Sequence, residues 1–474
     1  MLKQLKKVGL SQWKNKQLIT ITHRLLTSQS NNEDYDVIIA GGGLVGGAMA
    51  CALGKSRYLE KKKILMLEGR SKMKEIDLKN PPSNYDCRVC AISPGNVEFL
   101  KDINSWDNVS RKCSVNRMQI WDACSDVVTH FNKHNMSESL CWIVENNLLQ
   151  ASLNQTIDNE LSNNVSVKYN STLTDCFIPN NYARSDTRTP LPPATVTLSD
   201  GTVLRTKLLI AADGDNSFIS RCLNMNKLKW NYNQHAVVAT LNFHEPCDNF
   251  VAWQRFLPSG PIALLPLSNT SSSLVWSTSR DHAEELKNIS TEDFVNQINN
   301  AFWKEYPRDK SVEMLQEMTQ TCLNLFTSDE SSISSLQYPP SISGVQGGVF
   351  SFPLGFSHSD EYVRPRLAFI GDAIHRIHPL AGQGLNLGMR DVKSLLDVVE
   401  TSLYNGMDIG SLESLLRYES DRQRGNLPML TAVDGIKKLY STDKLPAVVL
   451  RTVGSIIFNR LEPIKERFIK EAVI

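Results

Sequence analysis

Asp36-Val37-Ile38-Ile39-Ala40-Gly41-Gly42-Gly43-Leu44-Val45-Gly46 is the stretch that decides the fold. Val37 to Ala40 is a short apolar run suited to a buried parallel strand, and the glycines after it open a helix carrying Ala48, Ala50 and Leu53. A second apolar run, Ile64 to Leu67, ends in Glu68. Strand, glycine turn, helix, strand and terminal acid make one βαβ unit. Within it Gly41-x-Gly43-x-x-Gly46 matches the dinucleotide fingerprint in its required context: Gly41 permits the tight turn, Gly43 lets backbone amides approach a pyrophosphate, and Gly46 lets the helix pack on the strand. The diphosphate then meets a positive helix N-terminus. Glu68 is in place to accept hydrogen bonds from the adenosine ribose, although Ser56–Lys63 lengthens the connection beyond the usual ~20 residues.

Two segments further along specify the dinucleotide. Asp213-Gly214-x-x-Ser217-x-x-x-Arg221 follows the apolar run Leu208–Ala212, so its carboxylate and glycine turn fall at a strand's carboxyl end, where open α/β sheets bind ligands. Gly371-Asp372-Ala373-x-His375-x-x-x-Pro379-x-x-Gly382-Gln383-Gly384-x-Asn386 follows the run Leu367–Ile370 in the same way. A carboxylate there can bond a ribityl hydroxyl, and the amides of Gly382–Leu385 at a helix start suit the N1/O2 edge of a reduced flavin. Between these segments, His235 to Trp276 is rich in Val, Trp and Phe with breaks at Pro258, Gly260, Pro261 and Pro266, which predicts an antiparallel sheet.

The rest of the 474 residues narrows the class. Lys plus Arg number 51 against 50 Asp plus Glu, so no global charge points to nucleic acid. Ten cysteines are too sparse for a disulfide scaffold and read as reduced thiols in an intracellular compartment. No apolar run reaches the roughly 18 to 20 residues of a spanning helix; the best, Leu445–Leu450, is broken by Arg451. Met1 to Asn32 carries Lys3, Lys6, Lys7, Lys14, Lys16 and Arg24 and no acid, the composition of a mitochondrial transit peptide. Cys87-x-x-Cys90 lacks a second such pair and a nearby histidine, so no metal site is expected, and His375 and His378 read as capping or packing residues. Arg451, Arg460, Lys465, Arg467 and Lys470, mixed with apolar residues, form a basic amphipathic terminal segment.

Taken in order and spacing, the three segments resemble the class A FAD-dependent aromatic hydroxylases, whose marks are the glycine fingerprint, a DG motif and a GD motif. Within them, Ala40–Gly46, Cys87–Ser93, Trp253-Gln254-Arg255-Phe256-Leu257-Pro258-x-Gly260-Pro261 and above all His378–Gly388 are similar to the mitochondrial coenzyme Q (ubiquinone) biosynthesis monooxygenases. The resemblance runs from about Asp36 to the C-terminus. It implies an α/β fold with a Rossmann-like FAD-binding domain, an antiparallel-sheet substrate domain and a C-terminal helical segment. It also implies that Arg88 and Gln150 contact the flavin.

The resulting layout is a transit peptide over 1–32, FAD-binding segments over 34–110, 146–230 and 351–430, a possible substrate-domain segment over 111–145, a substrate domain over 231–350, and a helical segment over 431–474. The implied reaction is hydroxylation of a polyprenylated hydroxybenzoate next to its phenol, with O2 and a reduced flavin that holds oxygen as the 4a-hydroperoxide. No catalytic acid or base is identified. Only one glycine fingerprint stands in a strand–helix setting, so electrons are expected from NAD(P)H bound transiently or, as the mitochondrial resemblance implies, from ferredoxin and its reductase. The expected location is the matrix side of the inner mitochondrial membrane, as a peripheral protein or a member of a coenzyme Q biosynthetic complex. The rival readings are a flavin hydroxylase or epoxidase of another lipid, and an FAD-stabilised scaffold.

Overall fold

The apolar run of the fingerprint becomes the strand Glu33–Ala40, its last four residues buried, in a computed structural model that describes residues 33–132, 139–179, 191–306, 310–326, 336–461, 463 and 465. The targeting segment over 1–32 lies outside the described residues. Glu33–Ala40 pairs in parallel with Ile64–Leu67 on one side and Val203–Ala211 on the other. Val165–Lys168 and Leu367–Phe369 extend the parallel set at either end. Three antiparallel strands complete an eight-stranded sheet. Covered on both faces, its central strands read as continuous apolar runs, and Val37–Ala40, Leu208–Ala211 and Leu367–Phe369 are all sealed from solvent.

Register decides where the chemistry goes. Ala40 lies opposite both Leu67 and Ala211, and Ala211 lies opposite Phe369. The residues that follow these four, led by Gly41, Glu68, Ala212 and Ile370, therefore leave the sheet at one carboxyl edge. Two helices start there: Leu44–Lys55 after the fingerprint, and Gly384–Tyr404 after the GD segment; they pack on each other.

The second eight-stranded sheet runs in the order His375–Arg376, Ile342–Ser359, Lys227–Phe243, Ser271–Ser279, Gly260–Pro266, Val251–Leu257, Arg117–Asp122, Val128–Asn132. Every pairing is antiparallel except that of Val251–Leu257 with Arg117–Asp122. One face packs a core of Trp253, Ile262, Leu264 and Trp276 against the helices Arg280–Asn288 and Thr291–Trp303. A three-stranded sheet of Val89–Ile92, Cys141–Glu145 and Lys112–Val115 stands against its other side through Val115, Ile143 and Ala252. The strands Lys227–Phe243 and Ile342–Ser359 run through the boundaries expected at 230/231 and 350/351, because they pair with each other in the second sheet from Lys227 opposite Ser359 to Phe243 opposite Ile342.

The helices Leu412–Tyr440 and Leu445–Arg460 are the last two among the described residues, within the helical C-terminal part that was expected. Arg451, counted above in the basic amphipathic segment, is 4% exposed and binds both carboxylate oxygens of Asp122 at 2.6 and 3.2 Å, so it belongs to a packed terminal helix and not to its charged face. It also donates to the carbonyls of Leu439 and Thr442. The side chain pins the terminal helix to the second sheet. No described helix is long and apolar enough to cross a membrane.

Candidate active site

At the fingerprint, Gly41 adopts φ +112°, and a Cβ there would stand 2.4 Å from the Ala212 carbonyl oxygen. A Cβ on Gly46 would lie 1.9 Å from the Gly41 carbonyl oxygen, so the helix start and the turn touch backbone to backbone. Gly43 differs: a Cβ there meets nothing within 4 Å. Gly43 is also the N-cap of Leu44–Lys55, a helix start with no side-chain cap and no acid in its first turn. Uncapped amides facing open space form an anion cradle.

Around the cradle, Oε2 of Glu68 accepts the Gly42 N–H at 2.8 Å and Oε1 accepts the Arg70 N–H at 2.9 Å, which fixes the carboxylate at the sheet edge with lone pairs to spare. Gln150, on the helix Asn146–Glu160, donates from Nε2 to the Gly42 carbonyl at 3.1 Å and so braces the same turn.

The DG and GD segments differ in what their carboxylates do. Oδ2 of Asp213 accepts the N–H groups of Phe218 and Ile219 at 2.7 and 3.3 Å, so this side chain ties its own turn, while Gly214, at φ +77°, faces the cavity. Burial raises the Asp213 carboxyl above its ordinary range. Asp372 accepts no hydrogen bond from the described residues and is open to the cavity. Enclosure by the cavity wall pushes its carboxyl up, against the pull of His375 and Arg376. A bonding-competent carboxylate with no protein partner is what a ligand hydroxyl requires.

Behind Asp372 the GD loop is held from below. Oδ2 of Asp391 accepts the Gly371 N–H at 2.9 Å and Nε2–H of His375 at 2.6 Å, while Oδ1 faces the Arg422 guanidinium at 2.9 Å. Burial favours the neutral acid, but His375 and Arg422 outweigh it and bring Asp391 down to about 2. The loop then turns at Gly382, φ +61°, and hands its backbone to Gly384–Tyr404, another helix start with no side-chain cap and no acid in its first turn.

Gly43, Arg88, Gly214, Asp372, Pro379, Gly382 and Gly384 line one cavity of about 760 Å³. Its far wall is the second sheet, through Met118, Val238, Ala252, Ala263, Leu265 and Val275. A cradle, an unpartnered carboxylate and a second helix N-terminus on one side, with apolar strands opposite, fit FAD and an apolar ring between them, and Glu68 stands outside this lining, bonded to the Gly42 N–H. A groove of about 820 Å³ on the outer side of Gly384–Tyr404 holds none of these residues. Two of its charged groups are already engaged, Asp421 with Ser394 at 2.6 Å and Arg422 with Asp391.

A family model described as an FAD binding domain matches residues 350–426, the span of the GD segment. The protein named ubiquinone biosynthesis monooxygenase COQ6, mitochondrial, of Danio rerio is 47% identical over 446 residues, covering 93% of this chain and 90% of the relative. Its counterpart in Homo sapiens is 43% identical over 450 residues, 94% of each. The chain belongs to the ubiquinone biosynthesis monooxygenase family.

The fold is shared more widely. The p-nitrophenol 4-monooxygenase PnpA of Pseudomonas putida DLL-E4 superposes with a TM-score of 0.65 at 15% identity, over 93% of this chain and 99% of that one. PqsL of Pseudomonas aeruginosa, a probable FAD-dependent monooxygenase, gives 0.63 at 19%, over 90% and 100%. Membership of the family makes the chain an FAD-dependent monooxygenase, with a need for an organic substrate, O2 and a reductant. The relatives are named as mitochondrial proteins.

Of the expected site residues, Gly41, Gly46, Glu68, Gln150, Asp213, Gly371, Gln383 and Asn386 do not line the cavity. Asn386 is 1% exposed and fully engaged: Oδ1 accepts from the Ser93 N–H and Asn96, and Nδ2 donates to the carbonyls of Ala91 and Gly382. It shapes the Gly382 turn from outside. Gln383 is likewise buried and does not line the cavity. Cys87 and Cys90 are free thiols, and burial pushes Cys90 up to about 12. Among the described residues no group of three His, Cys, Asp or Glu could hold a metal ion. Asp391 and Arg422 escaped the sequence reading. The available signal was position: Leu387, Asp391 and Leu395 stand at i, i+4, i+8, so the carboxylate sits on the buried stripe of its helix.

Proposed function

We propose that the chain hydroxylates the aromatic ring of a polyprenylated hydroxybenzoate in ubiquinone biosynthesis, at the carbon next to the phenol, as in C5-hydroxylation of a 3-polyprenyl-4-hydroxybenzoate. The observation that carries this reading is the shared cavity, with FAD-type polar groups on one wall and apolar sheet on the other. FAD supplies the activation of O2 and the transfer of one oxygen atom. The chain's own residues bind and orient. The turn Gly41–Gly46 takes the pyrophosphate, with Glu68 on the adenosine ribose and Gln150 steadying the loop. Asp372 takes a ribityl hydroxyl, Asp213 holds the Gly214 turn, and Arg88 faces the flavin. The amides of Gly382–Leu385 stabilise negative charge on the ring's N1/O2 edge. Gly371, Pro379, Gln383 and Asn386 hold the loop that presents them. The apolar strands exclude water from the reacting carbon.

A polyprenyl tail confines the substrate to a bilayer, so the reading includes a peripheral position on the matrix side of the inner membrane, within a coenzyme Q biosynthetic complex. Ferredoxin with its reductase is the favoured electron donor over NAD(P)H. The FAD-loaded protein, supplied with ferredoxin, ferredoxin reductase and 3-polyprenyl-4-hydroxybenzoate, should form the corresponding catechol. Formation of an epoxide on the tail, or consumption of reductant without a ring product, would sink the reading. Stopped-flow reduction by NADPH alone at the turnover rate, with no gain from ferredoxin, would remove the electron-donor assignment only.

A further inference from the structure

We propose that Gln254 is the substrate-orienting residue of the cavity, donating a hydrogen bond from its side-chain amide to the phenolic oxygen of the ring. The inference rests on the phenol-hydroxylation reading above. Gln254 lies on the strand Val251–Leu257 and lines the cavity. Its partners across the sheet are Ile120 on one side and Ala263 on the other; beyond Ala263 come Val275, then Val238, then Phe350. In that row of six, Gln254 is the single polar side chain.

The residue is 6% exposed, and its Nε2 is buried with no hydrogen-bond partner. An unpaired buried amide donor costs about 1–3 kcal/mol, a penalty that a structural role would have relieved with a protein acceptor. The side chain lines the cavity, and a half-turn of its amide, which breaks no hydrogen bond, brings this donor to a ligand oxygen that relieves it. Among the described residues the sheet presents one other uncharged polar side chain to this space, Ser277. A neutral amide suits a phenol or phenolate oxygen better than a carboxylate, which calls for a guanidinium. The arginine at that edge of the sheet, Arg376, is committed to Asp215 at 2.8 Å and to the Pro353 carbonyl at 2.6 Å.

A hydrogen bond at one end of an otherwise apolar slot sets which ring carbon faces the flavin, because dispersion contacts alone let the ring rotate in its plane. Gln254 therefore determines regiochemistry as well as affinity.

The test compares the FAD-loaded parent with Gln254→Leu and Gln254→Met. Binding of 3-prenyl-4-hydroxybenzoate and of its deoxy analogue, 3-prenylbenzoate, is read from the perturbation of the flavin absorbance. The parent should prefer the phenol, and both variants should lose about five- to tenfold in affinity for it while binding the deoxy analogue as the parent does. Both should keep their FAD and melt no lower than the parent, since the change removes an unpaired polar group. A structural glutamine would give the opposite melting result. A parent that prefers the phenol and variants that prefer it equally would overturn the role of Gln254 while leaving the reaction intact. A parent that binds neither compound would overturn the hydroxybenzoate reading and this inference with it.

Discussion

Nε2–H of His375 donates to Oδ2 of Asp391 at 2.6 Å, with both side chains sealed from solvent. The bond joins the loop that carries Asp372 to the helix whose N-terminus faces the flavin side of the cavity, and Arg422 on Leu412–Tyr440 neutralises the same carboxylate. Three elements thus set one another's position through a single buried anion.

Asp391→Asn should test this directly. Breaking a buried ion pair by removing one partner typically costs about 3–5 kcal/mol, and the Arg422 charge would be left without its buried partner. Urea unfolding should show a loss of that size together with weaker FAD retention. The sign with pH follows from the lowered carboxyl: its contribution is complete above the ordinary value of 3.8 and is lost as pH falls toward 2. A variant as stable as the parent at pH 7 would show that the network is incidental.

Gly43→Val and Gly46→Val should fail in different ways. The Cβ of residue 43 meets nothing in the protein, whereas that of residue 46 would strike the Gly41 carbonyl oxygen. The first variant should therefore fold with a near-parent melting temperature and lose FAD; the second should be destabilised even without cofactor. Equal FAD affinity in Gly43→Val would show that the pyrophosphate lies elsewhere.

His378 predicts a pH dependence of the opposite origin. Nδ1 accepts the Leu380 N–H at 3.2 Å, and burial, aided by Lys437, pushes the imidazole from 6.5 down to about 3. The unfolded chain takes up a proton near pH 6.5 while the folded chain does not, so stability rises with pH through this window and is complete above it. Between pH 7 and pH 5 the parent should lose about 2 kcal/mol that His378→Asn does not. Denaturant midpoints at the two pH values measure the difference, and equal losses in both proteins would contradict it.

These residues also show what the sequence could and could not carry. The three strand-end segments were legible because glycine turns and apolar runs are local signals, and parallel pairing brings their ends together whatever lies between. The parallel pairing of Arg117–Asp122 with Val251–Leu257 was not, because it joins residues more than a hundred positions apart and nothing local encodes that register. Asp391 was missed because an acid in a helix is ordinarily solvated, and its burial depends on hydrogen-bond donors supplied by two other elements, His375 and Arg422. The inward turn of Arg451 was not legible for the converse reason: a segment that mixes basic and apolar residues does not reveal which cation turns inward to meet a distant carboxylate.

Arg451→Leu should accordingly act on stability and not on membrane contact. Leaving Asp122 buried without its partner should cost about 3–5 kcal/mol, and Asp122→Leu added to it should recover much of the loss. Thermal melting of the two variants measures this. Vesicle binding of the single variant should equal the parent's; a selective loss of vesicle binding with unchanged melting would return Arg451 to the surface role.

The central claim is that this chain uses FAD to place one atom of O2 on a phenolic ring held in the cavity between the two sheets. Single-turnover reaction of the reduced, FAD-loaded protein with oxygen-18 gas and 3-prenyl-4-hydroxybenzoate, followed by mass spectrometry of the extracted product, measures it. The account predicts a catechol carrying one oxygen-18 atom on its ring. Reoxidation that yields only hydrogen peroxide and unchanged phenol, or a product whose added oxygen comes from water, would contradict it.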